Sequence, residues 1–401
     1  MPDRFNISKV SNKCYGCGVC TRVCPKHCIS LKENSRGFYS PIVDESLCIN
    51  CGLCVKDCAY INTLQAGERA PLGYYGWSKN QNVRQWCSSG GIGYEISMRL
   101  LEKGYKVCAV KYDVTDDRAR HYIAQTVDDI RYSVGSKYLP SYTENAFGKL
   151  KTDEKWVVVG TPCQIGSLRR YLKRVRKEDN FILVDFFCHG VPSLRLWDKY
   201  ISELKSETGD LSFLSWRTKA NGWHDSWAIS ADVKPSHDDD SDKYDVSLPE
   251  PRHKVYSKWT SGDLFYEFFL GNYCLNTCCY SDCKFKGCNS SADIRLGDYW
   301  GKKFMNDEKG VSALISLTGA GDRIVRELSH SCEIQSERVE YLLEAQLKHT
   351  VSKPWIYNMV FRAFGSKHSL GWIYKNLILR FYYNTKLPQR LYSKIKRAIS
   401  K

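Results

Sequence analysis

The chain has 401 residues, 59 of them Lys or Arg and 44 Asp or Glu, for a formal charge of +15, and 19 are Cys. That length allows two or three domains with a sizeable core. No run approaches the ~18 apolar residues of a membrane span, and the opening MPDRFNISKV lacks the apolar stretch of a signal peptide, so a cytoplasmic protein with reduced or metal-bound Cys is expected.

The first element is a pair of Cys runs. Cys14, Cys17, Cys20 and Cys24 stand as C-x2-C-x2-C-x3-C, and Cys48, Cys51, Cys54 and Cys58 repeat the spacing. Three closely spaced thiolates wrap three corners of a cubane, and the fourth ligates the other cluster. The expected sites are Cys14, Cys17, Cys20 and Cys58 for one [4Fe-4S] cluster, and Cys48, Cys51, Cys54 and Cys24 for a second. Zinc sites use four ligands from paired C-x2-C units, which fits eight Cys in two identical runs poorly. Ala59 stands where Pro often follows the fourth Cys. Cys28, outside the pattern, reads as a small buried apolar residue. Between the runs, residues 29–43 read as a hairpin turning at Asn34 to Gly37. Residues 1–66 thus form an α+β ferredoxin-like dicluster module, and residues 67–73 a linker.

An α/β domain follows, assigned to residues 74–350, with a largely parallel sheet. Residues 91–103 have helical periodicity, and residues 105–112 read as a strand. The segment 156–160 (WVVVG) is a buried strand, 164–174 a helix, 181–187 (FILVDFF) another buried strand, and 194–204 a helix capped by Ser193. Strand, helix and strand imply a right-handed parallel unit. Cys163 and Cys188 then both follow strands at the carboxyl edge of the sheet, where open α/β folds place ligands. The plain alternative is two buried Cys. A later loop carries Cys274, Cys278, Cys279, Cys283 and Cys288. Two of these with Cys163 and Cys188 would make four ligands for a third [4Fe-4S] cluster; the alternative is a zinc knuckle made by the loop alone.

Ser88, Ser89, Gly90 and Gly91 precede the 91–103 helix and allow close approach of a phosphate to the backbone, or serve only as a cap. Gly135, Ser136, Lys137 and Tyr138 add a cation and an aromatic face, or form a surface loop. Residues 234–252 read as an exposed insertion. The last segment, 351–401, reads as a basic aromatic helical tail. After Glu344 no residue is acidic, while Lys353, Arg362, Lys367, Lys375, Arg380, Lys386, Arg390, Lys394, Lys396, Arg397 and Lys401 are basic. With Trp372, Ile373, Leu377 and Phe381 as one apolar stripe and Leu391, Ile395, Ala398 and Ile399 as another, the tail suits an anionic membrane surface; the opposing reading docks the stripes on the protein's own core.

The motif order SSGG (88–91), GSKY (135–138), GTPCQ (160–164), FFCHG (186–190), the Cys279/Cys283 loop and ADIRLGDYWG (292–301) resembles the coenzyme F420 hydrogenase/dehydrogenase beta-subunit family, in the form with an N-terminal ferredoxin module. The resemblance covers roughly residues 10–345. It implies FAD beside a [4Fe-4S] cluster. It makes Cys163, Cys188, Cys279 and Cys283 cluster ligands, with Cys278 as an alternative to Cys279. It makes Ser88, Ser89, Gly90, Gly91, Gly135, Ser136, Lys137 and Tyr138 flavin contacts, and Asp298 and Trp300 the edge of the flavin pocket. Two readings follow: an iron–sulfur flavoprotein oxidoreductase, or a non-catalytic relay subunit docking on a partner enzyme. Either implies a redox partner protein; the small-molecule acceptor is not defined. His189 and His224 are candidate acids by type and neighbourhood alone, and structural histidines otherwise. No nucleic-acid-binding module is present, so no such partner is expected.

Overall fold

The computed structural model describes residues 5–62, 69–234, 255–346 and 348–383. Residues 235–252 of the expected exposed insertion fall outside the described residues, as do residues 67–68 of the expected linker and the stripe Leu391, Ile395, Ala398 and Ile399.

The N-terminal module is built on the hairpin β1 (Ile29–Glu33) and β2 (Tyr39–Val43), paired antiparallel from Ile29↔Val43 to Glu33↔Tyr39. Gly37 donates its N–H to the Asn34 carbonyl at 2.9 Å. Its φ is +73°, and a Cβ there would lie 2.7 Å from the Arg195 nitrogen, so glycine lets the turn seat on the following domain. Each Cys run feeds a short helix, Val19–Val23 and Leu53–Lys56, capped by Gly18 and Gly52 in the left-handed region. The repeat seen in the sequence is therefore repeated in the backbone.

The remaining strands are β3 (Leu72–Ser78), β4 (Lys106–Asp113), β5 (Arg118–Ala124), β6 (Ser141–Tyr142), β7 (Trp156–Val159), β8 (Phe181–Phe186), β9 (Leu211–Arg217), β10 (Trp227–Val233), β11 (Val255–Lys258), β12 (Ile294–Asp298), β13 (Ser312–Ser316) and β14 (Cys332–Glu337). Nine of them form one sheet in the order β14-β3-β13-β12-β8-β7-β4-β5-β6. The expectation of a largely parallel sheet is corrected to a mixed one. Its centre, β12-β8-β7-β4, and the edge pair β5–β6 are parallel. The flanks β4–β5, β12–β13, β13–β3 and β3–β14 are antiparallel. The reason is connectivity: residues 114–117 join β4 to β5 with no crossover helix, and a short turn can only reverse the chain.

The parallel unit holds as read. Strand β7 pairs with β8, and helix Pro162–Val175 crosses between them. Pro162 opens that helix, and Gln164 Oε1 accepts the Thr161 N–H at 2.8 Å. A second, three-stranded sheet β11-β10-β9 was not anticipated. It packs with helices Leu194–Thr208 and Leu264–Leu270 around Trp197, Trp216 and Phe265. Part of the expected tail belongs to this core: Tyr357, Val360, Phe364, Leu370, Ile373 and Ile378 are buried in it, and Leu377 packs against it. Trp372 and Phe381 of the apolar stripe remain exposed. Among the described residues, no helix is long and apolar enough to cross a membrane.

Candidate functional site

The eight thiols of the N-terminal runs gather as two groups, paired as the interlocked spacing requires. Cys20 has Cys17, Cys14, Cys58 and Cys54 as electrostatic neighbours, and Cys14 has Cys17 and Cys58. The other group, Cys24, Cys48, Cys51 and Cys54, lines a hollow of ≈ 310 Å³, its open mouth included. Cys28 is buried as expected, and it lines the same hollow. Burial pushes the Cys17 thiol up to about 11, with Cys58 adding to the rise. Thiolates so enclosed and so close repel one another unless a cationic core lies between them. Among the described residues, no three His, Cys, Asp or Glu converge on a single metal ion. The outer thiols ring a hollow instead of meeting at a point.

Helix Pro162–Val175 ties this module to the sheet. Ser167 Oγ accepts the Ala59 N–H at 3.0 Å and meets Cys17 Sγ at 3.4 Å. A proline at 59 would lack that N–H, which accounts for the departure from the usual residue. At the far end, Arg174 grips the buried Asp57 carboxylate at 2.7 Å.

The first turn of the same helix carries Cys163, and β8 leads to Cys188. Burial pushes the Cys163 thiol well up against a lowering contact from Thr161, and Cys17, Cys188 and Cys279 raise it further. Cys188 has Cys283 as a neighbour, and Cys279 has both Cys188 and Cys283. Cys163, Cys188, Cys279 and Cys283 are thus brought together. Cys278 has Asp282, Cys14 and also Cys283 as neighbours, and Cys274 lies in the second core. Two cations that the sequence reading did not single out fold the loop onto the sheet. Arg295, fully buried, holds Asp185 at 2.8 and 2.7 Å and donates to the Phe285 and Gly287 carbonyls. Lys286 Nζ donates to the Cys188 carbonyl at 2.6 Å and the His189 carbonyl at 2.9 Å. Tyr15 reaches this group from the N-terminal module: its thiol neighbours are Cys163, Cys283 and Cys278, and its hydroxyl donates to the Asp282 carbonyl at 2.8 Å.

The remaining motifs converge on Arg217, which sequence reasoning missed. Its guanidinium, 1% exposed, pairs with Asp298 at 3.2 Å. It also donates to Tyr138 Oη at 3.2 Å, the Ser88 carbonyl at 3.1 Å and Ser226 Oγ at 2.7 Å. Rings flank it: Trp227 at 4.7 Å and Trp300 at 5.5 Å. Trp300 stacks on Trp223 at 4.6 Å, and Tyr138 stacks on Trp227 at 5.2 Å. Ser136 donates from its backbone to Ser88 Oγ at 2.8 Å. Ser89 Oγ donates to the Val311 carbonyl at 2.9 Å, and the Gly90 N–H goes to Ser312 Oγ at 3.0 Å. Gly91 and Gly135 both take positive φ. Lys219 Nζ donates to the Arg84, Ser89 and Lys309 carbonyls at 2.6 Å each, and burial pulls its pKa down to about 8. Lys137 caps carbonyls of Tyr132, Val134 and Gly135, and burial pulls it down to about 7. One firm cation, Arg217, and two lysines whose charge burial disfavours stand against one Asp beside several rings; an anion arriving there would restore the lysine charges, so the place suits an anionic ligand that carries a flat ring.

The two histidines differ. Burial, helped by the Lys286 charge, pulls His189 down to about 4, and its ring lies against Phe269 at 5.0 Å. His224 is exposed, with Nε2 3.0 Å from the Phe304 carbonyl.

Residues 13–61 match the sequence model "4Fe-4S dicluster domain". Residues 73–147 match the N-terminal model of the coenzyme F420 hydrogenase/dehydrogenase beta subunit, and residues 153–341 match the C-terminal model of the same family. A coenzyme F420-dependent sulfite reductase of Methanocaldococcus jannaschii is 29% identical over 166 residues, covering 40% of this chain and 25% of that protein. One of the subunits of the F(420)H(2) dehydrogenase of Methanosarcina mazei is 24% identical over 220 residues, covering 51% of this chain and 61% of that one. The matches thus span a quarter and about three-fifths of the relatives' lengths. A chain from the F420-reducing [NiFe] hydrogenase complex of Methanosarcina barkeri aligns with a TM-score of 0.45 and 15% identity, over 67% of this chain and 83% of that one.

Proposed function

The chain belongs to the coenzyme F420 hydrogenase/dehydrogenase beta-subunit family as an iron–sulfur electron-transfer protein, and on that premise we propose that it is an oxidoreductase passing electrons between [4Fe-4S] clusters and a flavin. Cys48, Cys51, Cys54 and Cys24 hold the outer cluster; Cys14, Cys17, Cys20 and Cys58 hold the next; Cys163, Cys188, Cys279 and Cys283 hold the third. The single observation that carries this reading is the junction: Cys163 has thiols of both the N-terminal module and the Cys188 loop as its neighbours.

Bound clusters supply one-electron steps, and a bound flavin converts these to two-electron chemistry. The chain's own residues position and screen. Tyr15, next to Cys14 in the chain, lies against the third thiol group and links the two modules. Lys286 and Arg295 fix the loop, so that Cys279 and Cys283 face Cys188. Arg217 sets the orientation of Tyr138, Asp298 and the Ser88 carbonyl around the flavin pocket, and the Lys137 and Lys219 charges favour an anionic ligand there. FAD fits that charge and the aromatic wall. The redox partner is a protein, and the low-molecular-weight acceptor stays open.

The second reading is a relay subunit without flavin. It is favoured by one observation: Ser89, Gly90 and Lys219 already spend their donors inside the protein. Anaerobic purification with flavin and iron analysis separates the two. In the same preparation, Cys188→Ala should lose about four irons and keep about eight, and reduction of the flavin by a low-potential donor should stop. Unchanged iron and unchanged flavin bleaching would sink this assignment of the third site.

A further inference from the structure

Five thiols, not four, surround the hollow at the outer end of the N-terminal module. Cys28 lies with Cys24, Cys48, Cys51 and Cys54 in its wall, and its sulfur is 3.3 Å from that of Cys24. Both side chains are buried from bulk water. The backbone between them is turned to bring this about. The His27 N–H bonds the Cys24 carbonyl at 3.2 Å, and His27 takes φ +48°, a left-handed conformation unusual for a residue with a Cβ. The Asp44 N–H then anchors the Cys28 carbonyl at 2.8 Å, so the thiol is fixed facing the hollow. A structure that needed only a small apolar filler has no use for a strained turn that puts a second sulfur beside the first.

We propose that Cys28 is a reserve ligand of the outer cluster, able to occupy the iron corner that Cys24 holds. This rests on the cluster reading of the N-terminal Cys. The exchange is balanced without any oxidant: the Cys28 thiol gives up its proton and forms an Fe–S bond, while the Fe–S bond to Cys24 breaks and the Cys24 sulfur takes a proton. Iron valence and total charge do not change. The two sulfurs need only a side-chain rotation to trade places, since they already touch.

The test uses the full-length chain reconstituted anaerobically, with iron and acid-labile sulfide counted and the reduced protein examined by electron paramagnetic resonance. Cys24→Ala should keep the wild-type iron count with an altered spectrum, Cys28→Ala should keep it with an unaltered one, and the double variant should lose about four irons. Wild-type protein that binds no iron would overturn the cluster reading and this one together. A full wild-type count with loss of about four irons in Cys24→Ala overturns this proposal alone. Should Cys24→Ala fail to fold, chelator-driven iron release still decides: release from the outer site should be several-fold faster in Cys28→Ala than in wild type, and equal rates overturn the proposal.

Discussion

Removing the Arg217 side chain should be among the most damaging single changes outside the cysteines. The guanidinium is 1% exposed and serves Asp298, Tyr138, Ser88 and Ser226 at once. Breaking a buried ion pair from one side costs about 3–5 kcal/mol, because the other charge is stranded. Asp298 is not wholly stranded: it is 16% exposed and still accepts from Trp223 Nε1 at 3.0 Å. Arg217→Leu is therefore placed at the lower end, about 3 kcal/mol. Asp298→Asn keeps the acceptor for Trp223 while removing the charge. The double variant should accordingly be about 1–2 kcal/mol more stable than the sum of the single changes predicts. The assay is urea unfolding under anaerobic conditions, followed by fluorescence of the tryptophans beside the pair. Single changes that add to within about 0.5 kcal/mol would refute the coupling and with it the view that Arg217 organises this site.

Two further outcomes are expected. In Gly90→Ala, the new Cβ would fall inside the Gly76 carbonyl oxygen and 2.8 Å from the Ser312 nitrogen, both fixed backbone atoms; it should cost roughly 1–3 kcal/mol and lower the melting temperature, and an unchanged melting temperature would show that the SSGG turn is loose. His121, buried with Nε2 3.1 Å from the Val159 carbonyl, is pulled down to about 4 by burial. A depressed folded-state value means its contribution is present above about pH 6.5 and is lost as pH falls toward about 4. The loss amounts to about 3 kcal/mol at most. His121→Gln should flatten the melting temperature over that window; an identical acid profile in both proteins would remove His121 as the cause.

What the sequence made legible was what is local. The Cys spacing, the hairpin at Asn34, the helix after Gly91 and the β7–helix–β8 unit all depend on neighbours within a few residues. The Arg217 constellation does not. Arg217 ends β9 in LSFLSWR, a strand of mixed polarity, and its partners arrive from residues 88, 138, 226, 298 and 300. Only the SSGG, GSKY and GDYWG motifs marked the place, and they pointed to the rim, not the centre. Lys286 and Arg295 were hidden for the same reason: a buried cation looks in sequence like any surface one. That Cys28 also faces the cysteine hollow was not legible, because it depends on a turn through a left-handed His27. The antiparallel flank was lost because RARHYIA carries charges on alternate positions and hid β5.

Helix Pro162–Val175 touches the cysteine module at its start beside Cys17, one turn on at Ala59, and near its end at Asp57. At 1.5 Å per residue, the outer two of these grips are about 16 Å apart. A body held at both ends of such a strut cannot pivot without breaking one grip. The gap that electrons must cross between the inner thiol groups is then a fixed dimension of the molecule, unlike one that waits on two domains swinging shut. Passage across it should be indifferent to solvent viscosity, which would slow only steps that wait on a diffusional encounter.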